Sequence, residues 1–147
     1  MNSKVMFRYT HFYKPIVSSE KMISWLEKNR VVPRTITLLI FISIFYISSL
    51  TFPPPVAGPA NINAIAYHIF IFFLLAIFLF VSVLDRKWDF KKIILSLSIT
   101  TIYAALDELH QFFVPGRYMS FSDFLFDFMG IILASLFYFI LIFWKES

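Results

Sequence analysis

Four long apolar runs, separated by short polar or charged stretches, divide the chain. Residues 35–52 hold 18 positions without a charge, close to the ~20 residues a helix needs to cross the hydrocarbon core of a bilayer. Pro53, Pro54 and Pro55 follow; proline lacks the amide donor and its ring clashes with the preceding turn, which predicts that the helix stops there. The second run, 62–84, is interrupted only by His68, and the charged residues 85–92 lead out of it. The third, 91–109, is the weakest, because its centre carries Ser96, Ser98, Thr100 and Thr101. The fourth, 123–144, holds Asp127 near its start. The pattern predicts an all-α integral membrane bundle of four transmembrane helices.

Within those runs the polar positions are not scattered. Residues three and four apart share a helix face, and Ser96, Thr100, Tyr103, Asp107 and then His110 or Gln111 keep that spacing. So do Asp123, Asp127, Gly130, Ala134 and Tyr138 on the fourth run, and Asn61, Ala64 and His68 on the second. Polar stripes in membrane helices face the bundle rather than lipid. Three stripes meeting inside a bundle gather Asp107, Asp123, Asp127 and His68 beneath one surface.

Residues 1–34 read as a basic N-terminal segment, and residues 35–147 as the membrane domain. Within the segment, residues 19–30 can form an amphipathic helix, with Met22, Ile23, Trp25 and Leu26 on one side and Glu20, Lys21, Glu27 and Lys28 mostly opposite. Such a helix lies along a headgroup layer; the alternative is a poorly ordered tail.

Composition agrees with the patterning: 59% of residues are hydrophobic and 15% charged, where a soluble domain averages about 45–50% and 25%. The absence of cysteine excludes disulfides, thiolate catalysis and thiolate-ligated metals. The net charge of +4 sits beside apolar spans, so it speaks for orientation in a bilayer and not for nucleic acid. Of 13 Lys and Arg, 12 fall on the side of the two termini and the 85–92 loop, leaving Arg117 alone on the other. By the positive-inside rule both termini are cytoplasmic and the 107–123 loop is extracellular, in a multi-pass protein of the cell membrane.

That outer loop opens the stretch richest in chemistry, 107–130. Val114-Pro115-Gly116-Arg117 has Pro and Gly where a type II turn wants them, which returns Arg117 over the acids. The aromatics Phe112, Phe113, Tyr118 and Phe121 predict that the loop dips into the interface as a lid or re-entrant segment. Ser120 and Asp123 fit a capping box, so Asp123 either starts the fourth helix or binds a ligand. Gly130 and Ala134 fit small-residue helix packing. His68 is either a hydrogen-bonded bundle histidine or a ligand or proton carrier. Asp107, Glu108, Asp123 and Asp127 against Arg117 sum to −3 when all are ionised. Buried like charges do not all ionise uncompensated. Either one or two acids hold a proton, or a cation (a metal, an amine-bearing ligand or the histidines) compensates them. No standard metal-ligand spacing is present, so neither a metal nor another cofactor is expected.

Asp-Glu-Leu-His-Gln, then Pro-Gly-Arg, then Ser-x-x-Asp and Asp-x-x-Gly resemble the VanZ-like family of small bacterial membrane proteins over about residues 61–134. The resemblance carries the family's shared positions onto Asp107, Glu108, Gln111, Pro115, Gly116, Arg117, Asp123 and Gly130, and matches His68 to a histidine early in an upstream span. Two positions depart from it. Ala64 and Ile65 stand where many members have an Asp-Lys pair, and Asp127 stands where Asn is frequent. Asp127 adds a negative charge to the site. The founding member is linked to resistance to teicoplanin, a lipid-bearing glycopeptide, so the resemblance implies a role at the cell envelope.

Three functions are compatible with these residues. The first is an outward pocket of Asp107, Glu108, Gln111, Arg117, Asp123, Asp127 and His68, structurally supported by Pro115, Gly116 and Gly130. It would bind a lipid headgroup, a lipid-linked cell-wall precursor or a lipoglycopeptide. The second is a membrane-embedded enzyme that divides acid and base roles between Asp107 or Glu108 and His68 or His110. The third, proton conduction, is disfavoured because the fourth run is apolar below Asp127. The predicted topology has a direct check in a chain without cysteine: Met119→Cys should react with an impermeant thiol reagent on intact cells. Labelling only after lysis would reverse the orientation.

Overall fold

The computed structural model describes residues 21–22, 24–26, 28–51, 62–84 and 89–146, with side chains through residue 141. Four long helices make up the bundle: α1 (Val31–Ser48), α2 (Ile62–Val83), α3 (Phe90–Phe112) and α4 (Phe121–Glu146). Each is long and apolar enough to cross a membrane, α4 over Phe121–Leu141. No strand occurs among the described residues. Outer faces are apolar: Ile42, Phe70, Ile102 and Leu136 are all more than half exposed. Acyl chains, not water, suit such faces.

The bounds of two helices, α1 and α3, differ most from the patterning. α1 begins at Val31 and ends at Ser48, four residues earlier at each end than the 35–52 run. Pro33 is tolerated because it sits in the first turn, whose amides have no intrahelical partner anyway. Arg34 therefore lies inside the helix. The polyproline stretch, like Asn61, lies outside the described residues. α3 extends to Phe112, three residues beyond the expected end; in its last turn His110 meets Ser49 just after α1, and Gln111 bonds back to Asp107 and Glu108. Its start is capped by Asp89, whose Oδ1 accepts from the amides of Lys91 and Lys92 at 3.1 and 3.2 Å.

Contacts between helices fix their direction. Thr37 near the start of α1 meets Ser82 near the end of α2 at 3.4 Å. At the other end Ser48 of α1 meets Asp107 of α3, and His68 of α2 meets Asp127 of α4. The helices therefore run up, down, up and down, and every residue of the acidic motif falls at one end.

α2 is the hub, and its contact with α4 is the most extensive in the bundle. Gly130 explains the closeness: a Cβ there would collide with the backbone carbonyl oxygen of Ile69 and lie 3.0 Å from the amide of Phe73. Below that crossing Ala134 and Tyr138 are buried, and the Tyr138 ring stacks on Phe80 at 5.5 Å. Before α1 the backbone is helical at Lys21, Met22, Ser24, Trp25, Leu26 and Lys28. Leu26 is buried in the core cluster, whereas Met22 and Trp25 are exposed. Helical backbone is thus present at those residues, with Leu26 alone of the described apolar positions in the core; residues 1–20, 23 and 27 lie outside the described part.

Gly130→Ala should destabilise the bundle by about 1–3 kcal/mol, as overpacking does in a close-packed interior, and Gly130→Leu by more. Unfolding of the purified variants in mixed micelles measures this, and an unchanged midpoint for both would contradict the backbone contact.

Candidate functional site

The motif end holds two adjoining polar centres rather than one cluster. The first lies between α1 and α3. Asp107 is buried; its Oδ1 accepts from the Ser48 hydroxyl at 2.5 Å and its Oδ2 from the Gln111 amide at 3.0 Å. One turn along, His110 Nε2 meets Ser49 Oγ at 2.9 Å, and its ring stacks on Phe45. The Ser49 hydroxyl already donates to the Phe45 carbonyl at 2.7 Å, so Nε2–H of His110 is the donor. Lower on α3, the Tyr103 hydroxyl donates to the Phe41 carbonyl at 2.7 Å.

The second centre lies between α2, α3 and α4. His68 Nδ1 and Asp127 Oδ1 are hydrogen-bonded at 2.8 Å, and His68 Nε2 stands 3.9 Å from Asp123 Oδ2. Asp127 is fully buried and its Oδ2 has no hydrogen-bond partner among the described residues. Glu108 completes this centre: one donor atom each from His68, Glu108 and Asp127 lies within 4.8 Å of the others, a set that can hold a metal ion. Sequence spacing could not reveal such a set, since its members sit on three different helices. Gln111 links the two centres, donating also towards Glu108 Oε1 at 3.4 Å.

Glu108 has a second task. The amide of Ser120, the residue before α4, donates to Glu108 Oε2 at 2.7 Å, while the Asp123 amide donates to the Ser120 hydroxyl at 3.2 Å. The sequence predicts a capping box in which Asp123 reaches back to Ser120. Instead a carboxylate from α3 takes that amide, and the Asp123 side chain, one-third exposed, faces His68. A helix start normally closed by its own residues is here tied to a neighbouring helix.

The turn between α3 and α4 is closed by the Arg117 amide donating to the Val114 carbonyl at 3.1 Å, and Gly116 has a φ of +79°. That left-handed value matches the third position of a type II turn and suits glycine. Arg117 reaches across to α1: Nη2 donates to the Ile47 carbonyl at 2.7 Å and Nε to the Leu50 carbonyl at 3.1 Å. A cation suits a helix C-terminus, where carbonyls lack intrahelical donors. Phe112, Phe113, Tyr118 and Phe121 are all exposed around this turn.

A cavity of about 210 Å³ opens between these parts, lined by Ser48, Tyr67, His68, Asp107, Gln111 and Arg117 among others. Of the residues singled out by sequence, the structure brings His68, Asp107, Gln111 and Arg117 onto this wall. Glu108, Asp123 and Asp127 stand around His68 rather than on the wall. Pro115 and Gly116 shape the turn, and Gly130 sets the α2–α4 spacing. Sequence reasoning missed Ser48, Ser49 and Tyr67. The serine pair ending an otherwise apolar run was the available signal; Tyr67 carried none beyond its position beside His68.

Two residues that satisfy one another in an apolar interior do not act independently. His68→Ala and Asp127→Ala should each cost about 1–3 kcal/mol, the penalty for a buried polar group left without its partner. The double variant should cost clearly less than their sum. Additive losses in an unfolding titration would show that the pair is not coupled.

Over residues 7–143, nearly the whole chain, the sequence matches the family model described as VanZ/LLP1. No curated protein and no solved structure matches. The chain belongs to the VanZ/LLP1 family.

Proposed function

We propose that this VanZ/LLP1 protein binds the polar part of an envelope amphiphile in the cavity at the motif end: a lipid headgroup, a lipid-linked cell-wall precursor or a lipoglycopeptide. One observation carries the reading. Tyr67 lines the cavity, and its hydroxyl is buried without a hydrogen-bond partner among the described residues. A buried polar atom left unmatched costs free energy, so such atoms mark places where something else is bound. Beside it the wall offers Arg117 to an anionic group, Asp107 to a cationic one, and the Gln111 amide to either.

Size narrows the ligand further. At about 210 Å³ the cavity is smaller than the ~300–1,000 Å³ usual for drug-sized molecules. It suits a headgroup or one terminal group of a larger amphiphile, with the remainder outside. The exposed Phe112, Phe113 and Tyr118 supply an apolar rim on which a lipid chain can rest. Under the positive-inside orientation this site faces the cell exterior, where such amphiphiles are met.

A second reading rests on the 2.8 Å hydrogen bond between His68 and Asp127, with Glu108 close by. A carboxylate that orients an imidazole is a general acid–base arrangement, and it supports an enzyme acting on a lipid-linked headgroup. Asp123 at 3.9 Å from Nε2 leaves that nitrogen the face from which a proton would be exchanged.

A Gram-positive host expressing the wild type should gain protection against teicoplanin but not vancomycin. Arg117→Ala at matched membrane levels should lose it. Equal susceptibility of wild type and empty vector would exclude a lipoglycopeptide as ligand. Turnover of a lipid-linked substrate by purified protein, abolished by Glu108→Gln, would establish the enzymatic reading in its place.

A further inference from the structure

The opposite end of the bundle has its own cavity, about 460 Å³, between α1, α2 and α3. It is lined by Arg30, Arg34 and Lys92 at the end of the bundle and, further along the helices, by Leu38, Phe41 and Leu79. From Arg34 to Phe41 along α1 is about 10 Å at 1.5 Å per residue. The lining therefore passes from cationic to apolar over the distance that separates a lipid phosphate layer from the acyl region. Thr37 and Ser82 also line it, their hydroxyl oxygens 3.4 Å apart between the two zones. The volume falls within the ~300–1,000 Å³ range of small-molecule sites.

Among the described residues that line this cavity, the charged ones are Arg30, Arg34 and Lys92, all cationic. Asp89 is the acidic residue nearest Lys92 in the chain, and its Oδ1 accepts from the amides of Lys91 and Lys92 at the start of α3. Three cations around a cleft that turns apolar inward complement an anion attached to a hydrocarbon chain. Small soluble anions match only the mouth, and zwitterionic lipids bring an ammonium group against the arginines.

We propose that this cavity is a binding site for an anionic phospholipid, its phosphate held by Arg30, Arg34 and Lys92 and one acyl chain lying along Leu38, Phe41 and Leu79. The site is separate from the acidic motif and involves none of its residues. Basic pockets between membrane helices hold anionic headgroups in this way, and each Lys or Arg near a membrane surface contributes about 1 kcal/mol. The bound lipid would bridge α1 to α2 and α3 at the end where the Thr37–Ser82 contact is their described hydrogen bond.

Native mass spectrometry of the full-length protein in a neutral detergent tests this. Phosphatidylglycerol and phosphatidylcholine with the same acyl chains are titrated separately. Phosphatidylglycerol should remain bound at one per chain under conditions that strip phosphatidylcholine, and excess glycerol phosphate should not displace it. Arg34→Gln and Lys92→Gln should each weaken binding about fivefold, the equivalent of one such charge. Arg34→Lys should retain most of it. Lys91→Gln, which removes a neighbouring charge outside the cavity lining, should leave it unchanged. Equal retention of the two lipids, or an equal loss in Lys91→Gln, would overturn the proposal by reducing the effect to general surface charge. Displacement by glycerol phosphate would overturn the lipid assignment in favour of a soluble anion.

Discussion

The approach of α4 to α2 at Gly130 sets the geometry of the motif end. With no side chain at that position, the α4 backbone rests against the carbonyl of Ile69. His68 is the residue before Ile69, and Asp127 lies about one turn before Gly130. A close crossing at the glycine therefore brings the histidine and the carboxylate within 2.8 Å of each other. A wider crossing would leave a fully buried carboxylate facing hydrocarbon, which is far costlier than any loss of packing. The small residue and the polar pair thus depend on one contact.

Burial in a bundle of this kind obliges each polar group to find a partner on another helix, and the partners found here divide the acids. Asp107 is hydrogen-bonded locally by Ser48 and Gln111. Glu108, one residue along and so about 100° around the helix, points instead to the start of α4. By taking the Ser120 amide it substitutes for Asp123 in capping that helix. Asp123 is thereby released towards His68. The same exchange ties α3 to α4 at the point where the connecting turn leaves the bundle. Arg117 ties that turn to the last carbonyls of α1. Four chain segments are thus joined around one opening by hydrogen bonds rather than by apolar contact, which is the economical choice where neighbouring lipid is as apolar as the helices themselves.

The two ends of the molecule have opposite character. Carboxylates, amide and hydroxyl groups converge at one, while Arg30, Arg34 and Lys92 surround a cleft at the other. Between them the core of α2 and α4 is closed by aromatic and aliphatic side chains, including Phe72, Leu75, Phe80 and Tyr138. On α3 beside that layer Ser96 and Thr100 are buried, and Thr100 bonds back to its own helix.

Much of this was legible in the residues themselves. Apolar run length is a direct consequence of bilayer thickness, so four spans could be read without any knowledge of packing. Helical spacing likewise indicated that Thr100, Asp107, Gln111, Asp127 and His68 would face inward, because lipid has nothing to offer them. The turn at Pro115-Gly116 was equally local, since Gly116 is the residue type able to hold its backbone angle without strain. What required the tertiary structure was partnership. Periodicity places Asp107 on the polar stripe and Glu108 off it, but names a partner for neither. Only the rotation and spacing of the helices sends one to Ser48 and the other to Ser120. Ser48 carries no charge and only ends an apolar run, yet it satisfies a buried acid. Sequence determined which groups must be buried and where the chain turns, because those follow from solvent and local backbone geometry. Which groups meet was decided by close approach between helices, because hydrogen bonds act over about 3 Å and such distances are set only when the bundle packs.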